Sequence, residues 1–444
     1  MEWAQLMQGK DVSLERALAA FDIFVLHDRE GDFDDISACL DLLAQRIRDA
    51  YPGLEQESPR QKAVIIAIYV RTHGFAGVNE SSRYHDLRNN FLGIALFQED
   101  HSSLSLISVV IYCCIATRLG LDAQPCCFPF HVLAIIKPSG GCDLDEKPLA
   151  EKVVPAPMYM DPYRTEQETP VADLKAQLLT MGALSSSHAM YLDASPVGDI
   201  VLRSARNIIN SVQHAYSNAV TGQGHDGTGH LSLMHTFPDM ESAFYSALWA
   251  LLLLGMPPDG DGLPVQAGTR RQYLPYIIQH LESHFPMDVS LIEEHIEPLF
   301  EGSGERGQLR DTIRVMRAGD VMAKQLKPRS REVNQQVRFR VGQVFKHKRY
   351  SYQAVITGWD VECGAGEHWM AQMRIHELSR GKHQSFYHVL VEDKSVRYVA
   401  EENIEIIKPA VPFGLLPLAG RYFRRWDRDT CTFISNIKDE YPDD

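Results

Sequence analysis

The sequence predicts an α+β multi-domain protein, a long and mainly helical body followed by a small C-terminal antiparallel β-barrel. Three observations lead there. The chain has 444 residues, more than one hydrophobic core usually serves, so two or three domains are expected. Apolar residues recur at helical spacing in block after block as far as Leu326. From Phe339 to Asn403 the pattern changes to short runs rich in β-branched and aromatic residues, bounded by Gly, Ser, Asp and Lys. That is the signature of consecutive antiparallel strands. Four or five such strands in so few residues predict a barrel, because a short open sheet leaves unpaired edges.

Composition narrows the function classes. Hydrophobic content of 45% and charged content of 23% are ordinary for a soluble globular protein. The longest apolar run, Ala243 to Leu254, is too short to cross a bilayer and reads as a buried helix. Met1-Glu2-Trp3-Ala4-Gln5 shows no basic segment leading into an apolar one, so no secretory signal and no membrane partner are expected. Eight cysteines (Cys39, Cys113, Cys114, Cys126, Cys127, Cys142, Cys363 and Cys431) form no C-x-x-C pair and no zinc spacing. Free thiols in a cytoplasmic or nuclear compartment are expected, with no cofactor and no metal. Of the net charge of -14, residues 338–444 carry +1, from sixteen Lys and Arg against fifteen Asp and Glu. The rest carries -15, and an acidic body argues against wrapping nucleic acid.

In chain order, Ser13 to Phe21 begins with a capping residue followed by helical periodicity. Ile36 to Tyr51 repeats the pattern with Leu40, Leu43 and Ile47 on one face, and Gln61 to Thr72 gives a third helix. A motif follows at Tyr84-His85-Asp86-Leu87-Arg88-Asn89-Asn90-Phe91-Leu92, and Ser102-Ser103-Leu104-Ser105-Leu106 opens a helix ending near Leu119-Gly120. Next come Phe128-Pro129-Phe130-His131-Val132-Leu133 and Tyr159-Met160-Asp161-Pro162-Tyr163. Helices are expected at Val197–Ala219, Met240–Leu254, Arg270–His284, Val289–Phe300 and Leu309–Leu326. Gly222 to His230 is glycine-rich but lacks the Lys and the flanking strand of a phosphate-binding loop. His225, His230 and Asp226 within it could hold a metal, yet a polar insertion is the simpler reading. Lys327-Pro328-Arg329-Ser330-Arg331 marks the passage to the β-domain. The expected division is 1–170, 171–330, a linker at 331–337, and 338–444.

The strand blocks read Phe339-Arg340-Val341-Gly342-Gln343, His347 to Asp360 (ending Gly358-Trp359-Asp360), Tyr387 to Asp393, and Tyr398 to Asn403. They resemble the YccV/HspQ family, known as the hemimethylated-DNA-binding domain. The motifs from Tyr84 to Tyr163 resemble the transglutaminase-like domain of a bacterial family. This domain, then a helical region, then a YccV-like domain is similar to a family of eukaryotic F-box proteins. No F-box is expected here, since the residues before Ser13 are too few for its helices.

The resemblance to transglutaminase and papain-like enzymes implies a nucleophile at the start of a buried helix, with a His and an Asp beside it. Counted back from Arg118-Leu119-Gly120, the nucleophile position falls at Ser105, with His131 and Asp161 as the other two members. A serine hydroxyl needs far more activation than a thiol. Cys113 lies eight residues along the same helix, roughly 12 Å away, and Cys127 precedes His131 by about 13 Å of strand. A degenerate triad without turnover is therefore expected.

In the β-domain, Tyr350, Tyr352, Trp359, Trp369 and Tyr387 are the candidate partner-binding residues, although such aromatics are as often barrel core. Lys346, Lys348 and Arg349, with Tyr350 among them, are the candidate nucleic-acid contacts; Arg421, Arg424 and Arg425 with Trp426 form a similar cluster. Three readings follow. The F-box resemblance implies a non-catalytic adaptor that recognises protein clients for a ubiquitin ligase and binds its subunits. The YccV resemblance implies DNA binding, weak given the charge balance. The transglutaminase resemblance implies a cryptic hydrolase. The first accounts for the acidic body, the lost cysteine and the aromatic-rich terminal domain together.

Overall fold

Several helices begin where a capping side chain precedes a helical apolar stripe. The computed structural model describes residues 1–444 except 27–30, 79–82, 140, 150–154, 222–236, 257–269, 322–324, 394, 421 and 439. Helix α1 (Glu2–Met7) leads into α2 (Leu14–Val25), whose Ser13 hydroxyl accepts the Arg16 N–H. In α3 (Phe33–Ala50) Asp32 and Asp35 form a reciprocal capping box. Leu40, Leu43 and Ile47 of α3 are all buried, as the spacing predicts. Ser58 caps α4 (Pro59–Thr72), with Pro59 in the first turn, where its missing N–H costs nothing. After α5 (Leu92–Phe97), α6 (Ser105–Arg118) is buried continuously from Ser105 to Ala116. A helix apolar all round belongs at the centre of its domain.

Four antiparallel strands follow in the order β1 (Asp122–Cys126), β2 (Leu133–Lys137), β3 (Met158–Met160) and β4 (Glu168–Thr169). Beyond them lie α7 (Val171–Thr180), α8 (His188–Leu192), α9 (Val197–Thr221), α10 (Met240–Leu254), α11 (Arg270–Ser283) and α12 (Glu305–Val321). Helix α10, like α6, is buried on nearly every side, and both belong to one hydrophobic core shared with α2, α3, α4 and α9. Residues Met1–Ala318 form one compact unit. The segment Val289–Phe300, expected as one helix, winds in three ways: a short α turn, a π turn over Ile292–Ile296 and a 3-10 turn over Glu297–Phe300. Pro298 has no N–H to continue a regular ladder. The Tyr84–Leu92 motif is architectural. Asn89 Nδ2 donates to the Arg83 carbonyl, and Asn90 Nδ2 donates to the Leu87 carbonyl and the Ser211 hydroxyl of α9.

Residues Gly319–Asp444 form the second unit. Helix α13 (Arg331–Gln336), capped by Ser330, occupies the expected linker. The five-stranded antiparallel sheet runs β8 (Val396–Ala400), β7 (Phe386–Val391), β6 (Gln353–Asp360), β5 (Val344–His347), β9 (Ile404–Ile406). A hairpin of β10 (Phe423–Asp427) and β11 (Thr432–Ser435) is separate, tied to the sheet by the Gln343–Thr432 bridge. The expectation of a closed barrel is corrected, because β8 and β9 do not pair. They occupy opposite edges of the sheet, yet only Glu401–Asn403 separates them in the chain. Three residues reach about 10 Å at most, so the sheet must curl until its edges approach. The Glu401–Asn403 turn takes the place of the last ladder of hydrogen bonds: the Glu401 N–H donates to the Ser385 carbonyl and the Lys348 N–H to the Asn403 carbonyl.

Candidate functional site

Register explains why His131 and Asp161 meet. Strands β1 and β2 pair Cys126 with Leu133, so His131 sits on the short connection just before β2. Strands β2 and β3 pair Ala134 with Met160, which puts Asp161 at the same end of the neighbouring strand. The His131 Nε2 lies 2.9 Å from Asp161 Oδ2, and both side chains are buried. The other oxygen, Oδ1, accepts the Arg164 N–H at 3.2 Å, and the Tyr163 ring stands edge-on to the imidazole at 6.0 Å. With Nε2 engaged, Nδ1 is the ring nitrogen that a nucleophile would need. Ser105 is the first residue of α6, the helix that packs on β1 and β2. Among the described residues, no hydrogen bond joins the Ser105 hydroxyl to His131, so two members of the triad are brought together and the third is not bonded to them.

The three buried cysteines of α6 and β1 offer no thiolate in its place. Cys113 and Cys114 are buried in α6, and Cys126 is buried in β1. Burial pushes the Cys114 and Cys126 thiols up to about 12 and Cys113 well above its ordinary value. Near neutral pH all three are thiols, which are neither nucleophiles nor metal ligands.

In the C-terminal unit the structure separates the five candidate aromatics. Trp359 and Tyr387 are 2% and 0% exposed and belong to the core, so neither offers a partner any surface, and their assignment as contact residues is corrected. The Tyr387 hydroxyl accepts the Phe339 N–H and donates to Glu401 Oε2, which joins three of the motif blocks. The Trp359 indole N–H donates to Asp444 Oδ2 at 2.7 Å, and Arg329 lies over its ring. Tyr350 is 63% exposed, Tyr352 is half-buried under the Arg397 guanidinium, and His347 sits between their rings. The His347 Nδ1 accepts the N–H groups of Arg349 and Tyr350 and closes the turn that follows β5. Lys346, Lys348 and Arg349 are exposed, as nucleic-acid contacts would need to be.

Trp369 lies on α14 (Glu367–Gln372), half-buried against Ile375, Phe386 and Ala400. Beside it is a polar network that the sequence did not reveal. Asp360 Oδ2 accepts from the Tyr398 hydroxyl at 2.7 Å and lies 3.1 Å from His388 Nε2, while Oδ1 accepts from Lys327 Nζ at 2.9 Å. His388 first, then Lys327 and Tyr398, hold the Asp360 carboxyl well below the usual carboxylate range. The Tyr398 ring touches both His388 and Trp369, so this network and the tryptophan share one face. Only the alternation of β7, which turns His388 outward, hinted at it. The glycine-rich stretch with His225, Asp226 and His230, and Arg421 of the second basic cluster, lie outside the described residues.

Residues 34–206 match the Transglutaminase-like superfamily, and residues 337–430 match the family described as Hemimethylated DNA-binding protein YccV like. Among curated proteins, the chain is 26% identical to a protein named F-box only protein 21 from Pongo abelii, over 92% of this chain and 62% of the relative. Proteins of the same name from Mus musculus and Homo sapiens are each 38% identical over 157 residues, 34% of this chain and 25% of theirs. The chain thus spans less than two thirds of the length of these relatives. No solved structure matches it. No helix among the described residues is long and apolar enough to cross a membrane. The chain therefore combines a transglutaminase-like domain at residues 34–206 with a YccV-like domain at residues 337–430, and its relatives are proteins named F-box only protein 21.

Proposed function

We propose that this chain is a non-catalytic adaptor that recognises protein clients for ubiquitin-ligase-type turnover. The observation that carries the reading is the likeness along 92% of the chain to a protein named F-box only protein 21. The chemistry is consistent with it: Ser105 stands at the nucleophile position, unbonded to His131, and the buried thiols are protonated. His131 and Asp161 then act as a structural pair tying the β1–β2 connection to the end of β3. Client recognition is placed on the face of the YccV-like domain that carries Trp369, where a half-buried indole and the Asp360–His388–Tyr398 network offer an aromatic anchor beside fixed polar groups.

Affinity capture of the full chain from cells tests this, paired with turnover assays on amide and ester substrates. The expected result is co-purification of ubiquitin-ligase subunits with ubiquitylated clients, and no turnover. Turnover lost in both Ser105→Ala and His131→Ala contradicts it.

A DNA-binding reading has one observation in its favour, the exposed Lys346, Lys348 and Arg349 beside the exposed Tyr350 ring in a YccV-like domain. Three cations in a domain whose net charge is +1 support only weak phosphate binding, so it ranks second.

A further inference from the structure

Helices α9, α10 and α11 bring together a set of side chains unrelated to His131 and Asp161. Glu241 stands in the first turn of α10. His280 and His284 are four residues apart at the end of α11, where the His284 N–H still donates to the His280 carbonyl, so both rings project from one face. One ligand atom from each of the three lies within 4.8 Å of the others, and among the described residues no other three His, Cys, Asp or Glu side chains converge this way. Glu241 Oε2 is 2.9 Å from His280 Nε2 and 4.0 Å from His284 Nδ1.

The surroundings orient these atoms. The His280 Nδ1 lies 3.3 Å from the Tyr276 carbonyl, so the tautomer that carries its proton on Nδ1 donates there and turns the Nε2 lone pair toward the Glu241 carboxylate, 2.9 Å away. That tautomer suits a cation between Nε2 and the carboxylate; in the other, Nε2–H donates to Glu241 directly. The Tyr216 hydroxyl of α9 donates to the other Glu241 oxygen, and the Phe244 ring lies 4.9 Å from the His280 ring. Backbone support of a ligating histidine and hydrogen bonding to a ligating carboxylate are how protein metal sites fix their ligands.

We propose that Glu241, His280 and His284 bind one divalent transition-metal ion of the zinc class. Two imidazoles and a carboxylate suit such an ion, and three protein ligands leave a fourth position open to water or to an exogenous donor. Bonds of about 2.1 Å in tetrahedral geometry separate the donors by about 3.4 Å. The Glu241–His280 pair therefore opens slightly and His284 closes slightly when the ion enters. The ion pins the end of α11 to the start of α10, with Tyr216 supporting the carboxylate from α9.

The test uses the full chain, stripped with chelator and titrated with Co2+ and then Zn2+. The wild type is expected to take up one equivalent of Co2+ with the visible absorption of a tetrahedral site, to lose that absorption to Zn2+, and to melt at higher temperature with Zn2+. His284→Ala changes an exposed residue, so its far-UV circular dichroism should match the wild type while absorption and thermal shift disappear. Tyr216→Phe should weaken the ion by about tenfold. No Co2+ absorption and no Zn2+-dependent shift in the wild type overturns the proposal. So does a folded His280→Ala/His284→Ala variant that binds Co2+ with the wild-type stoichiometry and spectrum.

Discussion

Asp22 shows how much one buried carboxyl governs. Its Oδ1 accepts the Gly93 and Ile94 N–H groups at 2.9 and 3.2 Å, while Oδ2 has no partner among the described residues. Burial pushes its pKa from 3.8 up to about 7, against the pull of the backbone N–H groups. The folded state therefore keeps a proton that the unfolded chain has lost, and stability falls as pH rises from about 4 to 7 and levels off above. Asp22→Asn keeps the acceptor and removes the ionisation. Between pH 5 and 8 the wild type should lose roughly 2–3 kcal/mol more stability than the variant, as read by urea unfolding. At the degenerate triad, His131→Ala leaves buried Asp161 without its imidazole and should destabilise the unit by about 1–3 kcal/mol in the same assay. His131 and Asp161 were legible in the sequence because each borders a strand inside a motif block. Glu241, His280 and His284 were not, since Glu241 and His280 are 39 residues apart and only the packing of α10 on α11 joins them.

At the scale of elements, the YccV-like motifs prove largely architectural. Gly342 has φ of +90°, and a Cβ there would lie 2.1 Å from the Phe433 carbonyl oxygen. Gly342→Ala should therefore destabilise the C-terminal unit by about 3 kcal/mol or more, visible as an early tryptophan-fluorescence transition on heating. Trp359→Ala empties a core site and should cost about 3–5 kcal/mol. Trp369→Ala is the informative contrast. It should keep the circular dichroism of the wild type yet weaken a captured client by about 2 kcal/mol in a direct binding titration. Retention of every client by the folded variant removes this face from consideration. The long helices and β5 to β8 were readable because their periods run over enough residues. Strands β3 and β4 span three and two residues, and β2 is an unbroken apolar run, so neither alternation nor length could announce that sheet. Barrel closure was misjudged for a different reason: composition predicts strands, but whether edge strands pair depends on the Glu401–Asn403 turn.

Over the whole molecule, the -15 outside the C-terminal domain and the near balance within it set the terms for partners. Arg397 pairs with Asp393, Arg380 with Glu401 and Arg329 with Asp444, while Lys346, Lys348 and Arg349 form an exposed cluster beside Tyr350. Three phosphate contacts give a log–log salt slope no steeper than about -3. Gel-shift titrations at two salt concentrations should find binding that shallow and weak, and sub-micromolar affinity near physiological salt with preference for hemimethylated sites would promote DNA to the principal partner. Adaptor and enzyme part most clearly in cells depleted of this protein and re-supplied with the full chain, its His131→Ala form or its Trp369→Ala form, with client levels followed by quantitative mass spectrometry. The adaptor account predicts that clients accumulate on depletion, that wild type and folded His131→Ala restore their turnover equally, and that Trp369→Ala does not. Restoration by Trp369→Ala together with failure of a folded His131→Ala would contradict it.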